Sequence, residues 1–502
     1  MTSLTKARLT KSGRIGSGRI SWRSDKFSGA RDMMESAFKE LMDIRGLGAL
    51  DDDEVEITGA DPVFSSKFKI GETCATVLAG IGVAVTDIAE ERLGSRQKVS
   101  VDVRRAAAAL RSTSYLYTQG AGGAFAPMPS NPNMEHMRTI TQPWPAKDGR
   151  WFLPHFNLDH LRDRVLGVLK CDATSDSVRD AVAQWDALEL EAAIAEARAC
   201  GAMVRTNSEW LDHPHGEGLA AKPLVEITKI GDSDPEPFTQ YSSPLAGVRV
   251  LDLTRILAGP IAARTLAENG ADVLMVTAEG LPQVMEHVMD TSHGKRSTYL
   301  NLTDAADAET LKNLARGADV FSQGYRPGVM AGHGFGPEEL ATLRPGIIYL
   351  SISCYGAEGP FKDRAGWEQL GQTVTGICHD GGDNGPALLP ASACDYTTGY
   401  LGAYGVLLAL ARRARDGGSY HVKVSLCQSG MYIYRNGKTN FPEPDMDLSR
   451  AEIAAMHTQS DTGHGVIRHL APVLQLSQTQ PKWHRPTPVL GSDAAAWLEL
   501  DL

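Results

Sequence analysis

Asp395, in PASACDYTTGYLGAYG, is a carboxylate set just ahead of a helix of small residues. In that setting it can attack a carbonyl as a nucleophile, with helix-start N–H groups near the oxyanion that develops. Asp is also a favoured helix cap, worth about 1 kcal/mol, and most aspartates before helices are caps. The pair Lys295-Arg296 in HGKRSTYLNL suits phosphate, since a flexible ammonium and a bidentate guanidinium both match that anion. The same pair also reads as a solvated basic turn. His379 stands alone in the glycine-rich HDGGDNG, the usual setting of a solvated loop histidine. Cysteines 74, 171, 200, 354, 378, 394 and 427 show neither CxxC nor Cys/His ligand spacing, so no metal is expected and a reducing compartment fits.

The elements that must position these groups centre on Pro244 to Gly270, PLAGVRVLDLTRILAGPIAARTLAENG. Val248, Val250, Leu251 and Leu253 form a strand-length apolar run; Gly259-Pro260 breaks it, and Ile261, Ala262, Thr265 and Leu266 recur at helical spacing. With the apolar run Ala271 to Val276, the segment reads as βαβ on a parallel sheet. Its loop offers an anion N–H groups at a helix start, although a crossover without ligand has the same pattern. LAGPIAA lacks G-x-G-x-x-G, which sets a nicotinamide enzyme aside. Residues 71–112 lie on 394–435 without a gap, each a small-residue helix, a turn with glycine (Gly94, Gly417) and a strand of alternating valines (Val99, Val101; Val422, Val424). This pattern predicts an internal repeat with Glu72 opposite Asp395.

GVRVLDLTRILAGPIAARTLAENGADVLMV resembles the opening of the class III CoA-transferases of the CaiB/BaiF type, a family that includes formyl-CoA transferase and α-methylacyl-CoA racemase. Residues 293–302, 318–340, 347–376 and 393–410 resemble further stretches of the same family, so the likeness covers most of 241–430. It implies an α/β fold, with a Rossmann-like large domain on a mostly parallel sheet and a smaller α+β domain. The small-domain segments lie at 140–230, ahead of the main sheet, so a fused or permuted internal repeat is expected. The corresponding division is 1–58, a basic arm and helix; 59–240, a degenerate repeat with small-domain segments; and 241–502, the large domain with its catalytic Asp.

The resemblance implies a transferase that moves CoA from an acyl-CoA donor to a carboxylic acid acceptor, with Asp395 as nucleophile. Attack on the thioester gives a mixed anhydride and CoA thiolate; the thiolate takes the enzyme-side carbonyl, and the acceptor acid displaces it through a second anhydride. Coenzyme A and acyl-CoA are then substrates, no metal is needed, and a homodimer is the expected assembly. Lys295 and Arg296 fall where the family meets CoA phosphates, and Arg255, Gln323, Gly324, Tyr325 and Arg326 where it lines the CoA path. Family transferases can carry a glutamine in the first loop; Ile256-Leu257-Ala258 leaves that position apolar, which implies a less polar acyl group. Racemases of the family use a His-Asp pair, and where these enzymes have a His-Asp dipeptide this chain has Trp367-Glu368. The racemase is therefore the alternative, beside a non-catalytic CoA-binding member.

At 502 residues the chain is long for one compact domain, and its 42% hydrophobic content is ordinary. A net charge of -11 and a pI near 5.7 argue against a nucleic-acid surface. No run of 18 apolar residues suggests a membrane span. Lys6, Arg8, Lys11, Arg14, Arg19, Arg23 and Lys26 against Asp25 make the first 28 residues a basic arm. A cytoplasmic location is expected, with a mitochondrial transit peptide as the other reading of the arm. Residues 32–46 carry Met33, Phe38, Leu41 and Ile44 at helical spacing. Gly120 to Pro132 reads as a loop, 147–156 as a turn and aromatic strand, 158–200 as helices, and 232–243 as a polar linker.

Overall fold

A computed structural model of the chain describes residues 21–23, 28–51, 53–129, 131–241, 243–439 and 445–499. Most of the basic arm lies outside the described residues. The main sheet has seven strands: β1 (Glu226–Gly231), β2 (Arg249–Asp252), β3 (Asp272–Thr277), β4 (Lys295–Tyr299), β5 (Val320–Gln323), β6 (Ile348–Ser353) and β7 (Ser419–Ser425). Their order is β4-β3-β2-β5-β6-β7-β1, and every pairing is parallel except that of β7 with β1.

Residues of β2, β3, β5 and β6 alternate between two cores, because successive side chains of a strand point to opposite faces. Val250, Val273, Val320 and Ile348 enter one cluster, and Leu251, Leu274, Phe321 and Tyr349 the other. Both faces are thus dry, which explains the near-continuous apolar runs of the sequence.

The helices that matter for the site are α1 (Ile70–Leu93), α2 (Pro132–Ile140), α3 (Ala258–Glu268), α4 (Met285–Thr291), α5 (Glu368–Thr375), α6 (Ala393–Asp416) and α7 (Leu426–Arg435). α6 crosses α3 closely: a Cβ on Gly399 would stand 2.4 Å from the Ala258 carbonyl oxygen and 2.7 Å from Ile261 Cβ. On its other side α6 packs against α1, and Val77, Ile81 and Val85 share one core with Leu401 and Leu407. By length and composition α1 is apolar enough to cross a membrane, yet its apolar window is entirely buried inside the protein.

The segments 70–109 and 393–435 have the same element order. α1 is followed by a strand (Val99–Asp102) and a helix (Val103–Ala109), and α6 by β7 and α7. Both leading helices are 24 residues long.

A smaller unit with its own core pairs three short strands, Trp144–Pro145, Trp151–His155 and Cys200–Met203, under the helices of 159–196. The turn at Gly149 (φ 79) leads into the aromatic strand as the sequence predicts. The stretch read as a loop at 120–132 is partly ordered, since Phe125–Pro127 pairs antiparallel with Tyr117–Gln119. The boundaries at 58 and 240 do not divide the packing. β1 precedes residue 241 yet joins the main sheet, Phe38 and Leu41 lie in its core, and Gln475–Leu476 pairs back with Val99–Ser100.

Candidate active site

The sheet places the site before any side chain is considered. From β2 the chain winds one way through β3 and β4 and then returns to β5 on the other side of β2. The crevice beyond the carboxyl ends of β2 and β5 is where open α/β sheets hold ligands. Ile256 in the loop after β2 has φ 74, a conformation disfavoured for a β-branched residue.

Asp395 is the third residue of α6 and does not cap it. The N–H groups of Cys394 and Asp395 donate to Glu368, the first residue of α5, at 3.0 Å to Oε1 and 2.5 Å to Oε2. Gln372 Nε2 donates to the same Oε1 at 2.6 Å. Glu368 is therefore the cap of α6, supplied from another helix, and this removes the reading of Asp395 as an ordinary cap. It also corrects the expected oxyanion donors, because those two N–H groups are already occupied.

Burial raises the Asp395 carboxyl well above the usual carboxylate range, and the charge of Glu368 raises it further. Among the described residues no hydrogen bond holds the Asp395 carboxylate down. Burial also lifts Glu368 to about 7, against the pull of the N–H groups it accepts. Two such close acids titrate as a pair, so the nucleophilic form of Asp395 gains population as pH rises.

Two cavities meet at this carboxylate. One, of about 290 Å³, is bounded by the loops after β2 and β5 and by the Lys362–Trp367 segment, and its cations are Arg255, Arg326, Lys362 and Arg364. The other, of about 230 Å³, draws Arg138, Thr141 and Asn157 from the N-terminal half and His287, Gln369 and Ser392 from the C-terminal half. Ile256, Leu257, Trp367 and Asp395 line both. A third cavity of about 200 Å³ adjoins the first through Tyr325 and Arg326 and adds Gln323, His421 and Lys423.

Arg255, Tyr325, Arg326 and Asp395 are thus brought together. Arg255 donates through Nη2 to the Pro282 carbonyl, and burial lowers its pKa. Gln323 is set apart, its amide spent on Ser351 Oγ (3.0 Å) and on the Tyr325 N–H (2.8 Å).

Lys295 and Arg296 require a correction, because neither sits on a basic loop. Lys295 opens β4 with its side chain 0% exposed, and Nζ donates to Asp252 Oδ2 (2.8 Å) and to the Pro260 carbonyl (2.9 Å). Arg296 turns to the opposite face and spends its guanidinium on Asp272 (3.2 and 3.0 Å) and on the Ala496 carbonyl (2.7 Å). Parallel pairing with β3 puts both side chains in the sheet interior, and neither lines any of the three cavities.

His379 pairs with Asp380 at 2.6 Å, outside the cavities at Asp395. Among the described residues no group of three or more His, Cys, Asp or Glu could hold a metal ion. Sequence reasoning missed Lys362, Arg364, Arg138 and His287. The first two lie in the segment whose family likeness was read, FKDRAGWE, while Arg138 and His287 carry no pattern of their own.

Residues 245–444 match the family model for CoA-transferase family III, a span that includes β2 to α7 with Glu368 and Asp395. The chain is 33% identical over 337 residues to the acetyl-coenzyme A transferase nodX of Hypoxylon pulicicidum, covering 62% of this chain and 57% of that protein. It is 29% identical over 406 residues to an acyl-CoA transferase of Gibberella moniliformis, covering 74% and 71%. To the human succinyl-CoA:glutarate CoA-transferase it is 35% identical over 210 residues, covering 39% and 48%. The matches thus span about half to 71% of these relatives' own lengths. The site at Glu368 and Asp395 lies within the region that these matches share with CoA-transferases. The likeness to CoA-transferase family III lies in residues 245–444.

Proposed function

We propose that the protein moves CoA from an acyl-CoA to a carboxylic acid, with Asp395 as the nucleophile. What carries this reading is the Asp395 carboxylate, free of hydrogen bonds from the described residues, at the junction of a cation-lined cavity and a second cavity. The carboxylate attacks the thioester carbonyl, the C–S bond breaks, and a mixed anhydride and CoA thiolate result. The thiolate attacks the Asp395 carbonyl and releases the donor acid, leaving an aspartyl thioester. The acceptor carboxylate then displaces thiolate as a second anhydride. Thiolate finally attacks the acceptor's carbonyl, which frees the new acyl-CoA and restores Asp395.

Arg255, Arg326, Lys362 and Arg364 would neutralise the CoA phosphates in place of Lys295 and Arg296. This is a Rossmann-like use of the crevice at the carboxyl ends of β2 and β5. The relatives' names span acetyl and succinyl donors, so they do not choose the acyl group.

The N-terminal half reads as a degenerate repeat without a nucleophile. Glu72 is the third residue of α1 as Asp395 is of α6. Its N–H is also taken by a carboxylate from outside the helix, Asp61 Oδ2 at 2.7 Å. The Glu72 carboxylate, however, is occupied by the Asp61 N–H (3.1 Å) and Lys69 (3.1 Å).

The test is transfer among a panel of acyl-CoAs and free acids, read by mass spectrometry, in wild type and Asp395→Asn. The wild type should exchange CoA and leave a hydroxylamine-sensitive adduct on the Asp395 peptide. Asp395→Asn should lose several orders of magnitude of rate while still binding CoA. Wild-type rates in a folded Asp395→Asn would remove the mechanism, and α-proton exchange from deuterated water without an adduct would indicate the racemase instead.

A further inference from the structure

We infer that the cavity on the far side of Asp395 is an acid subsite for a second carboxylate, so that the donor or acceptor is a short dicarboxylic acid. The inference rests on Asp395 being the attacking group, because that fixes where the acyl chain must run. CoA phosphates need cations, and these line the first cavity. A thioester carbonyl at the Asp395 junction with its CoA arm in that cavity must send its acyl chain into the other one.

An apolar first loop implies an apolar acyl pocket, and the cavity contradicts this. Ile256 and Leu257 form only the neck shared by the two cavities. Beyond them stand Arg138, His287, Asn157, Gln369 and Ser392, together with Glu368, whose two carboxylate oxygens are taken by the N–H groups at the start of α6. Arg138, on α2, makes no ion pair with a described residue, and its charge acts on His287. His287 Nδ1 is buried without a hydrogen-bond partner among the described residues. The oxygen of the Gln369 amide is held by His155 Nε2 at 2.9 Å, which leaves the amide nitrogen as a donor. Glu286, beside His287, is engaged by the Asn131 N–H at 3.0 Å.

An unpaired guanidinium, an orphaned imidazole nitrogen and an amide donor make a poor lining for an alkyl chain and a good one for a carboxylate. The volume of about 230 Å³ holds a short diacid and little more. Arg138 belongs to the N-terminal half, so specificity comes from one half of the chain and the nucleophile from the other.

The experiment compares glutarate with pentanoate as acceptors, from a common donor thioester, in the full chain and in Arg138→Met and Arg138→Lys. The ratio of kcat/KM for glutarate over pentanoate should fall roughly 10- to 100-fold in Arg138→Met, the size of one lost charge-assisted hydrogen bond. Arg138→Lys should recover part of that ratio. Arg138 is exposed, so neither variant should impair folding. An unchanged ratio in Arg138→Met, or a wild type that prefers pentanoate, would overturn the subsite and leave CoA transfer standing. If no acid receives CoA, the transferase reading fails, and calorimetry of free glutarate then decides the subsite. Glutarate bound by wild type and not by Arg138→Met supports it; equal binding by both removes it.

Discussion

Glu368 carries a charge problem that Asp395 inherits. Its carboxylate holds the start of α6 through two N–H groups, yet it is buried and lies close enough to raise the pKa of the nucleophile. Replacing it with Gln removes the negative charge while keeping one acceptor. The rise of activity with pH should then begin roughly 1 unit or more lower, the usual size of a close like-charge effect, and the plateau rate should fall as the cap weakens. Stability should respond as well. A carboxyl lifted from 4.5 to about 7 in the folded state favours folding while protonated, and that contribution is lost as pH rises through 7. In Glu368→Gln the loss over that window should shrink. A pH-rate limb that stays in place would show that Glu368 does not set the ionisation of Asp395. Asp395 itself was legible as a carboxylate before a small-residue helix; the capping role of Glu368 was not, because the two meet only once α5 and α6 fold against each other.

Lys295 ties three elements together, and its sequence context gave no sign of this. From β4 it reaches Asp252 on β2 and the Pro260 carbonyl at the start of α3. The partners lie 43 and 35 residues away, so a basic pair that looks like a turn becomes an internal strut once parallel pairing is complete. Lys295→Ala leaves the Asp252 carboxylate buried and unpaired, a change that costs about 3–5 kcal/mol. Denaturant unfolding should show a lower midpoint with an unchanged slope. The ratio of affinities for CoA and dephospho-CoA should stay at its wild-type value, whereas Lys362→Ala should reduce it. A stable Lys295→Ala that loses discrimination between the two ligands would return Lys295 to the phosphate site. The strands and helices around it were readable because their apolar runs had the right periods. The hairpin at Phe125–Pro127 was not, because its glycines and prolines have the composition of a loop.

Across the whole molecule the two halves are interdependent in core and in chemistry. α6, which bears Asp395, lies between α3 and α1, and β1 extends the main sheet from before residue 241. A family likeness confined to 241–430 invites the view that this region folds by itself, since long-range packing leaves no mark on local periodicity. The fragment 241–502 would expose the part of α6 that packs against α1, together with the free edge of β7. It would also lack Arg138, Thr141 and Asn157 of the second cavity. Expressed alone, it should show a broad thermal transition, bind a hydrophobic dye, and transfer no CoA, although it contains both Asp395 and Glu368. Cleavage of the full chain within the polar linker 232–241 should be far milder, because the buried contacts outlast the peptide bond. A single sharp unfolding transition with full transfer activity from 241–502 would show that the N-terminal half is dispensable, and with it the joint origin of the site.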